Sequence, residues 1–324
     1  MKVCIVGAGA IGGWIGVKLA RAGCEVSVLA RGATLDAVRA HGLRLHEQGD
    51  VTTVPVRAGG DSASLGVQEL VVVAVKAPAM ADVAGQLAPL LGPSTIVLTA
   101  MNGVPWWFFE GFGGRHAGTR LQAVDHDGRI AAAVPASHIV GCVVHASCSL
   151  AGPGEARVHF GNKLIIGEPS GAPTERAQRL HDLLQRAGFD ALLSEQIQRD
   201  IWFKLWGNMT VNPVSALTGA TTDLILNDDL VRGFVSSIML EAREIGARLG
   251  IPIAQEPADR HAVTLKLGAF RTSMLQDVDA GKPVELDALV TVVKELGELT
   301  GVATPFTDAL LGLARLHARV RGLY

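Results

Sequence analysis

Lys2-Val3-Cys4-Ile5-Val6-Gly7-Ala8-Gly9-Ala10-Ile11-Gly12 opens the chain and decides the fold of its first half. Lys2–Val6 is a short apolar run rich in β-branched residues, which favour strands. The glycine turn then enters a stretch with helical spacing that runs to Arg21 and stops at Gly23. A second apolar run, Val26–Leu29, follows and ends at Ala30-Arg31. Strand, G-x-G-x-x-G, helix and strand in this order form the fingerprint of a dinucleotide site. Gly7 permits the tight turn, Gly9 lets the backbone approach a pyrophosphate, and Gly12 lets helix and strand pack closely. Ala8, Ala10 and Ile11 supply the intervening backbone, and the helix N-terminus offers unpaired N–H groups to phosphate.

The end of the second strand bears on which dinucleotide binds. NAD sites usually place Asp or Glu there to hold the ribose 2′-hydroxyl. This chain has Ala30 and then Arg31. A guanidinium grips a 2′-phosphate with two hydrogen bonds, whereas a carboxylate repels it. The expected cofactor is therefore NADP(H) rather than NAD(H).

The bulk composition narrows the rest. A chain of 324 residues exceeds what one hydrophobic core usually organises, so two domains are expected. It is 48% hydrophobic and 19% charged, with a net charge of −2, which gives no electrostatic reason to expect nucleic acid or an anionic membrane. Its four cysteines, Cys4, Cys24, Cys142 and Cys148, have no metal-ligand spacing and read as small hydrophobes in a reducing compartment. The ten histidines make no H-E-x-x-H pattern, so no metal is expected, and there is no G-x-S-x-G. No leader precedes the first strand and no apolar run has the length of a membrane helix, which points to a cytoplasmic protein.

Along the chain, strand-like runs at Leu70–Val75, Thr95–Leu98, Val140–Val144, Ala156–His159 and Lys163–Gly167 alternate with helical spacing at Ala79–Leu91 and Thr174–Ala187. The Gly-rich, polar stretch 111–137 reads as a surface insert. From about residue 195 helical spacing takes over, at Ile197–Val211, Leu230–Leu249, Arg260–Asp277, Val284–Thr300 and Phe306–Val320. The expected architecture is a Rossmann-type α/β domain over 1–195 followed by an all-α domain over 196–324. The helical surface of the second domain leaves room for a homodimer.

Within that helical region Lys204, Asn208 and Asn212 stand four residues apart, on one face of one helix, among Trp202, Phe203, Leu205, Trp206 and Val211. Buried polar groups need partners, and a small polar substrate is one. Lys204 is suited by type to protonate the alkoxide that forms when hydride reaches a carbonyl. The alternative is a lysine whose stem lies on aromatic surface with its head in water. Lys76 and Asn102-Gly103 end predicted strands at the carboxyl edge of the sheet, where open α/β sheets bind ligands; the alternatives are a solvated loop lysine for Lys76 and a simple turn for Asn102-Gly103. Ser273-Met274-Leu275-Gln276-Asp277 reads as a helix end, and Glu285 as a first-turn acid of the next helix.

These motifs, in this order and spacing, resemble the ketopantoate reductase family over nearly the whole chain. The resemblance rests on the glycine loop with Arg31, on Val75-Lys76-Ala77 and Asn102-Gly103, on Lys204-Leu205 with Asn208 and Asn212-Pro213, and on Ser273–Asp277 with Glu285. It implies a helical domain like that of 6-phosphogluconate dehydrogenase. It also implies NADPH-dependent reduction of 2-dehydropantoate to pantoate, a step toward pantothenate and coenzyme A. In that scheme Lys204 is the general acid and Glu285 its partner. Asn102, Asn208, Asn212 and Ser273 hold the substrate. Gly7 to Gly12, Arg31, Lys76 and Asn102 face the cofactor. Trp106, Trp107, Phe270 and the long 111–137 stretch depart from the family pattern and raise the prospect of another 2-oxo acid or an imine as substrate. A regulator that binds NADP(H) without turnover is the rival from outside enzymology.

Overall fold

A computed structural model describes all residues, 1–324. The chain divides into two compact units. The first comprises Met1–Met101, Glu110–Phe112 and Gly128–Ile197; the second comprises Asn102–Phe109, Gly113–Asp127 and Gln198–Tyr324.

The first unit is built on one ten-stranded sheet: β1 (Lys2–Val6), β2 (Glu25–Leu29), β3 (Leu43–Glu47), β4 (Asp50–Val54), β5 (Arg57–Gly59), β6 (Leu70–Val73), β7 (Ile96–Thr99), β8 (Ile139–Gly152), β9 (Glu155–Gly167) and β10 (Asp190–Leu193). The strand order is β4-β3-β9-β8-β7-β6-β1-β2-β5, with β10 on β9. β1 lies parallel between β2 and β6, with Val6 opposite Leu29 on one side and Val73 on the other. The chain first winds from β1 to β2 and later returns on the opposite side at β6, so the end of β1 is a topological switch point, the usual ligand crevice of such sheets. β6 is buried along its whole length, as its unbroken Leu-Val-Val-Val requires. The helix Ala10–Arg21 lies on the sheet through its small residues. A Cβ at Gly16 would stand 2.9 Å from Leu43 and 3.1 Å from Ile5. Trp14, fully buried, meets Phe189 edge-to-face at 4.9 Å.

Several boundaries depart from the sequence expectation. Ala156–His159 and Lys163–Gly167 are one strand, β9: the Gly161-Asn162 pair between them resembles a break, yet Lys163 pairs with His145 in the ladder. Ala79–Leu91 holds only the short helix Met80–Ala84 and two flanking 3₁₀ turns, because Pro78, Gly85 and Pro89 interrupt it. The hairpin of β3 and β4 has no clear signal in the sequence, because its alternation of polar and apolar residues is short and mixed with charge. The stretch 111–137 is not a surface insert. Leu121, Asp125, Ile130 and Val134 are all buried. The backbone N–H groups of Gln122 and Ala123 donate to the Glu295 carboxylate at 2.6 and 2.9 Å, fastening the 113–127 part within the second unit, while 128–137 belongs to the first.

The second unit centres on the long helix Ile197–Thr218. Trp202, Leu205, Trp206 and Met209 bury one side of it. The Trp206 indole N–H donates to the Met239 carbonyl at 2.7 Å and so fixes the helix against Asp229–Arg248. Truncating such a core tryptophan costs about 3–5 kcal/mol. Glu241 receives the N–H groups of Phe306 and Thr307 and the Thr307 hydroxyl, placing a carboxylate on the N-terminus of the last helix, Pro305–Val320. Arg260–Asp277 is not continuous: Pro257–Leu265 ends, the chain passes Gly268 at positive φ, and Ser273–Asp279 begins anew. The Val284–Thr300 stretch passes through a π-helical turn at Asp287–Thr291 before the helix Val292–Thr300. No helix is long and apolar enough to cross a membrane.

Candidate active site

The glycine loop of the first unit has the geometry that its sequence demands. Gly7 has φ of +90°, which only glycine adopts readily. A Cβ at Gly12 would fall 2.0 Å from the Gly7 carbonyl oxygen, so the helix can approach the loop only without a side chain there. Gly9 is the N-cap of the helix, and no side chain caps it. The first amide groups of the helix, around Ala10 and Ile11, are thus left without side-chain acceptors, and a Cβ at Gly9 would have nothing within 4 Å. Open space beside uncapped N–H groups suits a pyrophosphate. Arg31 stands at the end of β2, exposed, at the N-cap of the helix Gly32–His41, and no carboxylate on the chain pairs with it. A free guanidinium beside a second uncapped helix start fits a 2′-phosphate. Lys76, half-buried, follows β6 and precedes a 3₁₀ turn. The neighbouring Val75 side chain would lie 2.7 Å from a Cβ at Gly7, so this segment walls the loop.

In the second unit, Lys204 and Asn102, 102 residues apart in sequence, meet directly: the Lys204 Nζ donates to Asn102 Oδ1 at 2.7 Å. Gly103 makes this possible. It has φ of +82°, and a Cβ there would lie 2.4 Å from the Ala288 carbonyl oxygen. The next residue, Val104, donates its N–H to the same oxygen at 2.9 Å. Asn102 is therefore held to the π-helical turn just beyond Glu285. On the face that carries Lys204, Asn208 is half-buried and Asn212 is buried. Neither amide side chain hydrogen-bonds to the chain, so both have donors and acceptors to offer a ligand. Glu285 is 6% exposed.

Other expectations fall differently. Ser273 does not end a helix; it begins one, exposed, with Thr272 as N-cap accepting the Leu275 N–H at 3.2 Å. The Thr-Ser pair misleads because either hydroxyl suits a cap. Trp107 is buried in the core, and Trp106 nearly so. Phe270 stays half-buried. No three His, Cys, Asp or Glu side chains are gathered to hold a metal ion. Arg260 also packs its guanidinium against the Lys204 helix, and no sequence periodicity links it to that helix.

Comparison with known proteins agrees with both units. The family model "Ketopantoate reductase PanE/ApbA" matches residues 3–171, and its C-terminal counterpart matches residues 196–318. A 2-dehydropantoate 2-reductase of Mesorhizobium japonicum is 45% identical over the full length of both chains. A crystal structure from Ralstonia solanacearum MolK2, provisionally described as a ketopantoate reductase, superposes with a TM-score of 0.97 at 57% identity, covering 100% of this chain and 99% of that one. D-mandelate dehydrogenase with NADH and anilino(oxo)acetate shares the fold, with a TM-score of 0.85 at 21% identity and full coverage of both chains. With two family models spanning both units and a full-length relative at 45% identity, the chain belongs to the ketopantoate reductase family of oxidoreductases.

Proposed function

We propose that this protein reduces 2-dehydropantoate to pantoate with NADPH, with Lys204 as the proton donor. The observation that carries the reading is the Lys204–Asn102 hydrogen bond of 2.7 Å, beside the unpartnered amides of Asn208 and Asn212. Bound NADPH supplies the hydride. Gly7, Ala8, Gly9, Ala10, Ile11 and Gly12 hold its pyrophosphate, Arg31 its 2′-phosphate, and Lys76 the nicotinamide side. Asn102 positions the Lys204 ammonium by accepting a hydrogen bond from it. Hydride addition turns the keto oxygen into an alkoxide. Lys204 stabilises that charge and passes it a proton. Asn208, Asn212 and Ser273 hold the hydroxyl and carboxylate, and Glu285 steadies the ammonium and receives the substrate hydroxyl.

The four cysteines are free, as suits a reducing cytoplasm. The product would feed pantothenate synthesis, and a homodimer is the expected assembly. A bulkier 2-oxo acid is the second reading, favoured by the half-buried Phe270. A panel of 2-oxo acids with NADPH and NADH tests both readings. Fastest turnover of 2-dehydropantoate with NADPH supports the first; preference for an aromatic or branched acid supports the second.

A further inference from the structure

Arg260 packs its guanidinium against the helix that carries Lys204, without an anionic partner. It belongs to the helix Pro257–Leu265. Its guanidinium carbon stands 5.5 Å from the Phe203 ring centroid. It rests on Gly207 so closely that a Cβ there would lie 2.7 Å from Nε and 3.0 Å from Nη2. Gly207 is three residues past Lys204 and one before Asn208. Residues three apart on a helix are neighbours, roughly 5–6 Å between Cβ atoms, so the cation sits within about one turn of the proton donor.

The arrangement is costly unless it is used. A glycine inside a helix costs roughly 0.5–1 kcal/mol against alanine, and here it admits the guanidinium. The Arg260 Nε is buried without a hydrogen-bond acceptor. No carboxylate of the chain pairs with the side chain, although ion pairs are made by Arg44, Arg176, Arg243, Arg248 and Arg271. Burial pushes the guanidinium below its usual range, as expected for an uncompensated charge. The residue as a whole remains half-buried, so it can still be reached. A half-buried arginine fork lacking its anion, beside a lysine and two free amides, is an anion receptor.

We propose that Arg260 is a substrate-binding residue that holds the carboxylate of the 2-oxo acid and makes the enzyme selective for acids over neutral ketones. Phe203 and Gly207 position it: the ring supports one face of the fork, and the missing side chain lets it lie against the helix. The proposal deepens the reductase reading and rests on it for the identity of the acid.

The test compares the wild type with R260Q, R260K and G207A. R260Q is expected to raise KM for the keto acid about 10- to 100-fold, the loss of a charged hydrogen bond, with a smaller effect on kcat and none on NADPH affinity. Turnover of the corresponding neutral 2-oxo amide should stay as in the wild type. R260K keeps the charge without the fork and should fall in between; it carries the test if R260Q does not fold. G207A, by displacing the guanidinium, should follow R260Q. An unchanged KM for the acid, or equal losses for acid and amide, overturns the proposal. If the wild type reduces no keto acid at all, the reductase reading has failed. Calorimetric binding of pantoate then decides: binding lost in R260Q supports Arg260 as an acid receptor, and equal binding or none in the wild type refutes it.

Discussion

Two alanine substitutions in one loop should have opposite signatures. A Cβ at Gly12 would stand 2.0 Å from the Gly7 oxygen and 3.1 Å from Ile5 Cγ2. Ordinary contact needs more than 3 Å, so G12A must push the helix Ala10–Arg21 away from β1 by about an ångström. Overpacking of this kind costs about 1–3 kcal/mol. For a unit of this size each kcal/mol lowers Tm by roughly 2–4 °C, giving a fall of about 2–12 °C. Gly9 is different. Its φ is −76° and ψ −163°, which any residue adopts, and a Cβ there meets nothing within 4 Å. G9A should fold with unchanged Tm, or gain a degree or two from the stiffer unfolded chain. Yet its methyl group occupies the open space where a pyrophosphate would lie. Losing even one charge-assisted contact costs about 1.5–3 kcal/mol, so NADPH affinity should fall at least tenfold. Thermal unfolding without ligand and fluorescence titration with NADPH give the two numbers. A stable G9A that binds NADPH like the wild type would refute the pyrophosphate assignment. A G12A as stable as the wild type would refute the packing argument.

Four further outcomes are expected. K204A should lower kcat by about 10²–10⁴-fold with NADPH affinity intact, measured by steady-state kinetics and direct binding. R31E should weaken NADPH at least tenfold while sparing NADH, which the ratio of kcat/KM for the two cofactors reads directly. G103A must move Asn102 or the turn at Ala288, combining positive-φ strain of about 1–2 kcal/mol with overpacking. Its kcat should drop along with its Tm, whereas N102A should lose kcat alone. Tyr324, the single tyrosine, donates to Asp287 at 2.7 Å, and burial with this bond pushes its phenol up. Its absorbance titration should therefore lie above the ordinary tyrosine range, and D287N should bring it down.

The legible parts of the sequence were those in which one local pattern has one structural solution. β1, the glycine loop, its helix and β2 follow from strand propensity and three glycines, and each stands where the pattern put it. Lys204 and Asn102 were both legible as candidates, Lys204 by helical spacing and Asn102 by its place after a strand. Their hydrogen bond was not, because it spans 102 residues and depends on the approach of Gly103 to Ala288. The stretch 111–137 reads as a surface insert because its glycines and charges mask the buried Leu121, Asp125, Ile130 and Val134, and the carboxylate that fastens Gln122 and Ala123, Glu295, lies far along the chain. Ser273 reads in sequence as a helix end, since apolar periodicity carries through the turn at Gly268 and only the Thr272 cap reveals the restart. Arg260 left no trace in the sequence: its role is written in the empty side of Gly207, a contact between two helices.

The most direct test of the central claim is the initial rate of NADPH loss with 2-dehydropantoate, measured for the wild type and K204A under the same conditions. The account predicts rapid oxidation by the wild type, slower with NADH, and nearly none by K204A. Oxidation that persists undiminished in K204A, or NADPH that binds tightly and is consumed with no 2-oxo acid, would contradict it.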